Sequence, residues 1–397
     1  MGEEEKTIDE SEGAISMKNI RTYCLVFGFT AIMLMPSLLK NLAPDSALSG
    51  VTLSSALPDM SKKELLNGRL QESLNTYYAE HLPGRDFMIN IRNQVIFSLF
   101  HQSPNELIIL GKDKVLFEEE YVLKYEKYYP PATREYTEDL CEKLVRLQDL
   151  LSARGKEMYI FITPTKVRYY EEFVPDIYRQ NNRFPDEPGN YEQFTDTLKN
   201  YPLHVYDSIP WINERAKTAD FPLFYRTGTH WSWVLGMEVA ADFARYLNEE
   251  SRFTFPQANV AYQPTEEPVH PDADIFKLLN LFSKPYDEVY FQAEFLSEPR
   301  TDEGPNLFCR GGSFMEQTIS PLIRNGYFKQ DTYVQNTMIY RNCFSELTEF
   351  SDYAEMDLKQ EIDQADIILL EVNEAHIPVM SFSLIDYLLE HPEILSE

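Results

Sequence analysis

The chain has 397 residues, which is long enough for one large domain or two ordinary ones. Its formal net charge of −28 and pI near 4.6 make polyanionic nucleic acid a poor partner. Hydrophobic residues make up 43% and aromatic residues 13%, so the chain can bury a sizeable core, which excludes global disorder. The four cysteines are widely spaced without a CxxC pair, which indicates neither a zinc site nor a disulfide framework and leaves one optional disulfide open.

An uncharged apolar run, residues 23–39, follows an acidic tail at the N-terminus. It is slightly shorter than the roughly 20 residues that span a bilayer, but Lys40 can extend it by snorkelling. Lys18 and Arg21 precede the run, which predicts a cytoplasmic N-terminus and an extracytoplasmic body. The alternative is a signal peptide cleaved near residues 46–50. We favour an uncleaved anchor, because the run exceeds the usual apolar region of about 7–15 residues in signal peptides.

These features divide the chain into four predicted segments. Residues 1–16 form an acidic cytoplasmic tail, and residues 17–43 form a signal-anchor transmembrane helix of a single-pass protein of the cell membrane. Residues 44–105 form a juxtamembrane helical lead-in, broken at a Pro-Gly pair. Residues 106–397 form one extracytoplasmic domain.

Apolar patterning in the large domain alternates between helices and strands. Short apolar runs at 107–110 and 115–117 flank Gly-Lys-Asp-Lys and predict a β-hairpin. Leucines spaced over 140–151 mark one face of a helix, and residues 158–162 and 367–372 are buried-strand runs that each follow a helix. This alternation predicts an α/β fold with a mostly parallel sheet covered on both faces. Active sites of such sheets lie in loops at the carboxyl ends of the strands.

Three polar stretches carry weaker signals. Residues 176–204 contain Pro and Gly and predict an irregular insertion. Lys166, in Thr-Pro-Thr-Lys, is more typical of a solvated loop end than of a substrate contact. His270, Asp272 and Asp274 lie in His-Pro-Asp-Ala-Asp, whose spacing could contact a cation. A solvated turn before a helix is favoured there, so we predict no metal or cofactor.

The stretch Phe-Tyr-Arg-Thr-Gly-Thr-His-Trp-Ser-Trp, residues 224–233, places His230 in a loop that enters a helix. Ser232 can cap that helix, which begins at Trp233. A loop histidine is less typical of a core residue than one on an apolar helical face. We therefore take His230 as a candidate base and look for its partner.

A second stretch, Leu-Phe-Cys-Arg-Gly-Gly-Ser-Phe, predicts a strand at 307–309 that ends in a sharp turn at Gly311 and Gly312. Ser313 would then stand at the start of a helix, which is the geometry of a nucleophile elbow, although the sequence is not G-x-S-x-G. A serine helix cap is the competing interpretation. Because a serine hydroxyl is a weak nucleophile until an imidazole takes its proton, we pair Ser313 with His230.

Four motifs in this order resemble the periplasmic alginate O-acetyltransferase family of the AlgJ/AlgX type, within the SGNH-hydrolase-like superfamily. They are LGKDKVLF (110–117), ITPTK (162–166) with a later FVP, FYRTGTHWSW (224–233) and GGSF (311–314). The resemblance covers about residues 50–390 and implies an SGNH-hydrolase-like parallel sheet flanked by helices in residues 106–397. It also implies acetyl transfer to hydroxyls of an extracytoplasmic polysaccharide, with a membrane-bound O-acyltransferase as the acetyl donor.

The resemblance makes His230 the base and Ser313 the nucleophile. This sequence departs from the family at two positions. The family commonly has Asp-Thr-His, where this chain has Gly228 before Thr-His, and Gly-Asp-Ser-Phe, where this chain has Gly312 before Ser-Phe.

The missing aspartate leaves the third member of a triad open. Asp274 or Asp207 could orient the imidazole from another loop, and a Ser-His dyad or a backbone carbonyl is also chemically possible. The backbone N–H groups of Gly312 and Ser313 are the candidate oxyanion donors, and Arg341 is a weaker candidate.

Three functions remain open on these residues. The first is an O-acetyltransferase that works through an acetylated serine. The second is a carbohydrate esterase that uses the same residues with water as the acceptor. The third is a non-catalytic glycan-binding or scaffold subunit of a polysaccharide acetylation and export complex, which the missing aspartate favours.

Overall fold

The structure is a computed structural model that describes most of the chain beyond residue 68. The described residues are 19–31, 48–51, 69–282, 287–298 and 303–396, with isolated positions at 34, 53, 57, 60, 63, 66 and 300. They form two compact units. The smaller unit comprises Met1–Pro104 and Leu278–Ser283, and the larger one comprises Asn105–Lys277 and Lys284–Glu397.

The smaller unit contains two consecutive helices, α1 (Arg69–Glu80) and α2 (Arg85–Phe100). They are separated at Gly84, whose φ of 72° lies in the left-handed region that glycine adopts without strain. The buried Asn93 of α2 donates from its side-chain amide to the carbonyl of Leu279 at 2.9 Å. The predicted helical composition of this segment and its break at the Pro-Gly pair are thus confirmed over residues 69–100.

Residues 19–31 are helical and largely exposed. In the part of the chain that the structure describes, no helix is both long and apolar enough to cross a membrane. Residues 1–18 and most of 32–47, which hold the predicted acidic tail and much of the predicted anchor, lie outside the described residues. The anchor therefore stays a prediction.

The strands of the larger unit form one large sheet and two hairpins. In chain order, its described strands are β1 (Ile108–Leu110), β2 (Leu116–Glu118), β3 (Glu157–Thr163), β4 (Val205–Asp207), β5 (Ala258–Thr265), β6 (Tyr290–Ser297), β7 (Leu307–Arg310), β8 (Asp331–Gln335), β9 (Met338–Arg341), β10 (Glu346–Glu349) and β11 (Ile367–Asn373). β1 pairs with β2 in the predicted hairpin, with Ile109 opposite Phe117. β5 and β6 form a second antiparallel pair.

The large sheet has the strand order β10-β9-β8-β7-β11-β3-β4. The strands from β8 to β4 are parallel, and β9 and β10 extend one edge in antiparallel orientation. In the centre, Leu370 of β11 pairs with Ile160 of β3, and Leu369 pairs with Cys309 of β7. The prediction of an α/β fold with a mostly parallel sheet is confirmed.

Helices cover both faces of this sheet. The described α-helices of the larger unit are α3 (Glu119–Tyr125), α4 (Arg134–Ser152), α5 (Lys166–Tyr170), α6 (Asp176–Gln180), α7 (Asn190–Leu198), α8 (Ser208–Arg215), α9 (Trp233–Glu250), α10 (Asp274–Lys277), α11 (Glu316–Arg324), α12 (Leu358–Gln364) and α13 (Leu384–Glu390). A 3₁₀-helical segment, Glu374–Ser383, follows β11.

Two cores result from the alternation of side chains along the central strands. Ile160 and Leu370 pack on one face with residues of α4, α7, α12 and α13. Phe161 and Leu369 pack on the other face with residues of α9 and α11. All four cysteines, which lie within the described residues, are free thiols.

The prediction of an irregular insertion at 176–204 is wrong. The segment contains α6 and α7, and Phe194 of α7 is fully buried in the core beside α4. Thr197 of α7 hydrogen-bonds through its hydroxyl to that of Thr137 in α4 at 2.8 Å. Its prolines and glycine lie outside the two helices, at Pro185, Pro188 and Gly189 between them and at Pro202 after α7, so they do not prevent a packed helix.

Candidate active site

The serine of the Gly-Gly-Ser-Phe motif follows the carboxyl end of β7, as the sequence predicts. β7 ends at Arg310, and a short 3₁₀ turn begins at Ser313 and runs into α11. This strand–turn–helix arrangement presents the hydroxyl at the edge of the sheet where ligands of parallel α/β folds bind.

Gly311 of this turn is required for space and not for unusual backbone angles. A Cβ at Gly311 would lie 2.8 Å from the Cβ of Glu371 on the neighbouring strand β11. Gly312 has φ −88° and ψ −179°, which any residue adopts. The sequence predicted that this turn needs glycine for its backbone angles. The structure shows instead that glycine is needed because two strands approach closely.

The histidine stretch is held by contacts that surround His230. Trp231 is fully buried and donates through its indole N–H to Gln317 of α11 at 3.1 Å. Ser232 caps α9 by accepting from the N–H of Leu235 at 3.2 Å, which confirms the predicted cap. The neighbours are thus structural, whereas the His230 side chain keeps 12% of its surface exposed.

Lys166 is the main anchor of the loop that leads to His230. Its ammonium lies 2.7 Å from each of three carbonyl oxygens, those of Leu116, Tyr225 and Gly228, and 3.2 Å from that of Arg226. The side chain is 3% exposed, so the interpretation as a solvated loop end is wrong. Burial lowers the pKa of Lys166 to about 7. The surrounding carbonyl dipoles favour the protonated form, which alone has three N–H groups to donate.

The structure brings His230, Ser313 and Asp274 together. The Ser313 hydroxyl lies 2.7 Å from Nε2 of His230, and Nδ1 of His230 lies 2.6 Å from Oδ2 of Asp274. The other carboxylate oxygen, Oδ1, accepts from the backbone N–H of Thr229 at 2.9 Å and of Ile275 at 2.8 Å. Because a carboxylate accepts the Nδ1 proton, Nε2 is left free to accept the serine proton.

His230 and Asp274 each shift the pKa of the other. Burial raises the pKa of the Asp274 carboxyl, but His230 and two backbone N–H groups outweigh burial and lower it overall. Burial also lowers the pKa of His230, while Asp274, Glu118 and Glu316 together raise it above its ordinary value. Glu118 stands beside Thr229 as a second carboxylate near the imidazole, and its own pKa is raised by burial.

The structure does not bring Asp207 to the histidine. Asp207 ends β4 and accepts from the hydroxyl of Tyr191 at 2.7 Å and from the N–H of Ile209 at 3.0 Å, which caps α8. The position of the ring is set by Asp274, so the alternative assignment of Asp207 is wrong. In the same segment as Asp274, Asp272 caps α9 by accepting from the N–H of Trp233 at 3.0 Å.

Both predicted oxyanion donors outside Ser313 are already engaged. The N–H of Gly312 donates to Oε2 of Glu371 at 2.7 Å. The guanidinium of Arg341 forms an ion pair with the buried Glu361. These pairings correct the assignments of Gly312 and Arg341, and they leave the N–H of Ser313 as the donor proposed from the sequence.

Glu371 is a functional-site residue that the sequence analysis missed. It is 2% exposed on β11, where its Oε1 accepts from the Thr163 hydroxyl at 2.5 Å while Oε2 holds the Gly312 N–H. Burial raises its pKa, and the bonds from Thr163 and Gly312 act in the opposite direction. The sequence does carry a signal for this residue, since a glutamate interrupts the apolar run Ile367–Val372 of an otherwise ordinary buried strand.

A cavity of about 430 Å³ opens beside the serine. Ser313 and Glu371 line it with Tyr121, Lys124 and His376, the last from the 3₁₀ segment after β11. Ser313 thus borders a space large enough for a small acyl group and part of an acceptor. A hydroxyl, an imidazole and a carboxylate joined in this order are the elements of acyl transfer through an acyl-serine.

Comparison with known proteins identifies the family. The family described as "SGNH hydrolase-like domain, acetyltransferase AlgX" matches residues 108–306, and the chain belongs to it. The matched segment contains Lys166, His230 and Asp274 and ends before Ser313.

Two relatives of this chain have the same name, which refers to alginate O-acetylation. The chain is 25% identical over 244 residues to the "Probable alginate O-acetylase AlgJ" of Pseudomonas aeruginosa, which is 61% of this chain and 58% of the relative. It is 29% identical over 228 residues to the protein of the same name from Pseudomonas putida, which is 55% of this chain and 54% of the relative. The chain therefore spans less than two thirds of the length of these relatives.

Solved structures of related proteins are more distant. The O-acetyltransferase domain of Pseudomonas putida AlgJ has a TM-score of 0.42 at 15% identity, covering 68% of this chain and 92% of that domain. Pseudomonas aeruginosa AlgX has a TM-score of 0.44 at 12% identity, covering 70% of this chain and 67% of that protein.

Proposed function

We propose that this protein is an O-acetyltransferase that acetylates hydroxyls of an extracytoplasmic polysaccharide through an acetyl-serine at Ser313. The observation that carries the proposal is the hydrogen-bonded series of Ser313, His230 and Asp274, at 2.7 and 2.6 Å, beside an open cavity. Membership of an acetyltransferase family supports the choice of acetyl as the transferred group.

In the first half-reaction, the oxygen of Ser313 attacks the carbonyl carbon of a donor acetyl ester while His230 Nε2 takes the hydroxyl proton. The tetrahedral oxyanion is met by the N–H of Ser313. The bond to the donor oxygen then breaks, and His230 returns the proton to that oxygen. The products are the free donor alcohol and acetyl-Ser313.

In the second half-reaction, a sugar hydroxyl replaces the donor alcohol. His230 takes its proton as the sugar oxygen attacks the acetyl carbon, and the serine oxygen leaves with the proton from His230. Asp274 stays ionised throughout and holds the imidazole in the tautomer and direction that both steps need. An esterase would run the same second step with water.

The third possibility, a non-catalytic glycan-binding subunit, loses its main support. It depended on the absence of an aspartate at position 228, and Asp274 brings a carboxylate to the ring from another loop. From the resemblance we further propose a membrane-bound O-acyltransferase as the acetyl donor and an extracytoplasmic, membrane-anchored location.

The test is acetyl transfer from a chromogenic acetyl ester by the wild-type protein and Ser313→Ala. The wild type should release the chromophore with an initial burst and carry a mass increase of one acetyl group on the peptide that contains Ser313. Ser313→Ala should show neither. Addition of polysaccharide separates the two enzyme classes, because a transferase deposits acetyl on the glycan, whereas an esterase forms free acetate only. Chromophore release that survives in Ser313→Ala would overturn the proposal.

A further inference from the structure

A second cavity, of about 370 Å³, adjoins the serine cavity. Lys124 lines both cavities, and the 3₁₀ segment after β11 contributes Ala375 to the second cavity and His376 to the first. A chain that places one unit beside Ser313 can therefore continue across Lys124 into the second cavity. Two cavities that share a lining side chain suit a polymer better than a small acceptor.

The second cavity has side chains that suit a sugar. Tyr125 and Tyr191 line it together with Arg168, whose guanidinium lies 5.7 Å and 4.5 Å from the two ring centroids. Aromatic faces beside planar polar groups stack on the apolar faces of pyranose rings while hydroxyls find hydrogen-bond partners at the edge.

The basic groups of the two cavities are already engaged. Lys124 forms an ion pair with Glu120 at 2.5 Å, and Arg168 pairs with Glu374 at 2.5 Å and with Glu192 at 3.0 Å. Lys127, the remaining cation among the described lining residues, donates to backbone carbonyls of Pro185 at 3.3 Å and Glu187 at 2.8 Å.

Acidic groups outnumber the basic ones around this path. The lining includes three cations, Lys124, Lys127 and Arg168, and six glutamates, Glu120, Glu126, Glu187, Glu192, Glu371 and Glu374. The whole chain has the same sign, with a formal net charge of −28. A polymer that carries a carboxylate on every sugar would therefore meet repulsion both on approach and when bound.

We propose that the acceptor is an uncharged polysaccharide, with the acetylated sugar beside Ser313 and its neighbours in the second cavity. This inference rests on the proposed function, and it separates the chain from its relatives, whose names refer to alginate, a polyuronate. The glutamates that line the two cavities would accept hydrogen bonds from neutral sugar hydroxyls, and carboxylates can do so without a bound cation.

The decisive comparison uses one polymer in two charge states. Alginate and alginate whose carboxyl groups have been reduced to alcohols share backbone and linkage but differ in charge. Because reduction also creates a primary hydroxyl on each sugar, acetyl groups are counted only on the ring hydroxyls that both polymers carry. Acetyl transfer from the chromogenic ester to the reduced polymer should exceed transfer to alginate by about tenfold or more at low salt. Equal transfer, preference for alginate, or no transfer to the reduced polymer would overturn the inference. Absence of acetyl-Ser313 on the wild-type protein would instead overturn the proposed function.

A matched pair of variants tests the charge argument. Glu187→Lys adds positive charge at the second cavity, and Glu249→Lys makes the same change at an exposed position on α9. Glu187→Lys should raise acetyl transfer to alginate several-fold, whereas Glu249→Lys should leave it near the wild-type level. An equal effect of both variants would show that net charge acts without this cavity.

The tyrosines offer a test of the second cavity itself. Tyr125→Ala should raise the KM for the reduced polymer about three- to tenfold, because one stacking face is lost. Tyr129→Ala removes an exposed ring that does not line the cavity and should leave that KM unchanged. The thermal unfolding midpoint of each variant shows whether it is folded. An unchanged KM in folded Tyr125→Ala would contradict the proposed position of the chain.

Discussion

Gly228 leaves open the space beside the catalytic candidate His230 that the Asp274 segment occupies. A Cβ at position 228 would lie 3.3 Å from Oδ1 of Asp274 and 2.7 Å from the backbone carbonyl oxygen of Asp272. The family commonly places its aspartate at the position of Gly228. In this chain the glycine leaves room for the segment 272–274 to approach, and that segment brings the carboxylate to the ring.

Asp274→Asn should therefore behave as the loss of a triad aspartate. The amide can donate to Nδ1 and select the wrong imidazole tautomer, so we expect kcat for the acetyl ester to fall by up to about 10⁴-fold. Adding Gly228→Asp should not restore activity, because the new side chain would collide with the Asp272 carbonyl. Asp207→Asn is the matched control and should keep near wild-type kcat. Rescue by Gly228→Asp would contradict this account of the site.

The pH dependence follows from the shift at His230. The imidazole must be neutral to accept the serine proton, and the environment raises its pKa above the ordinary value near 6.5. Activity should therefore be low in acid and should rise with pH through a midpoint above 6.5 in the profile of kcat/KM. Glu118→Gln removes one of the groups that raise this pKa and should move the midpoint to lower pH. A shift to higher pH, or none, would contradict the charge assignment.

The sequence was sufficient for features that depend on local pattern. Alternating apolar runs predicted β3 and β11, the cap at Ser232 and the strand–turn–helix at Ser313, because each depends on residues close together in the chain. Asp274 was one of two carboxylates that could not be separated by sequence. Choosing between them needed the distance between loops that lie 44 positions apart.

Two buried charged residues whose roles the sequence did not predict, Lys166 and Glu371, act across longer separations. Lys166 bonds to a carbonyl 50 positions earlier and to others about 60 positions later, and Glu371 bonds to a backbone N–H 59 positions away. Neither the buried cation nor the buried acid has a local pattern, since charged residues are rarely fully buried without a partner that only the fold supplies. Lys166 follows an apolar strand and Glu371 interrupts one. A charged residue at such a position was the signal available in the sequence.

Lys166→Met should both destabilise the protein and lower its activity. The substitution removes the ammonium donor from three buried carbonyls, of which that of Tyr225 keeps the N–H of Gly228 at 3.2 Å. We expect a loss of about 2–4 kcal/mol in the free energy of unfolding by urea. The freed loop carries His230, so kcat should fall further than the folded fraction explains. Lys156→Met is the control, because Lys156 also donates to two carbonyls, of Asp363 and Ala365, away from the serine cavity. It should cost stability without lowering kcat per folded molecule.

Glu371 positions the turn that carries the serine. Its replacement should show whether activity is lost because the turn shifts or only because the protein is less stable. Glu371→Leu removes the acceptor of the Gly312 N–H and of the Thr163 hydroxyl, so the turn can shift. We expect kcat to fall by up to about 100-fold, the size of effect that a displacement near 1 Å produces.

Glu371→Gln should lose much less activity than Glu371→Leu, because its amide can accept from Gly312 and donate to Thr163. Glu361→Leu is a comparable change at a buried glutamate that pairs with Thr332 and Arg341. It should lower the free energy of unfolding and leave kcat per folded molecule intact. If Glu371→Leu also kept its kcat while losing stability, Glu371 would be a core residue only, and the serine turn would be held by β7 and α11 alone.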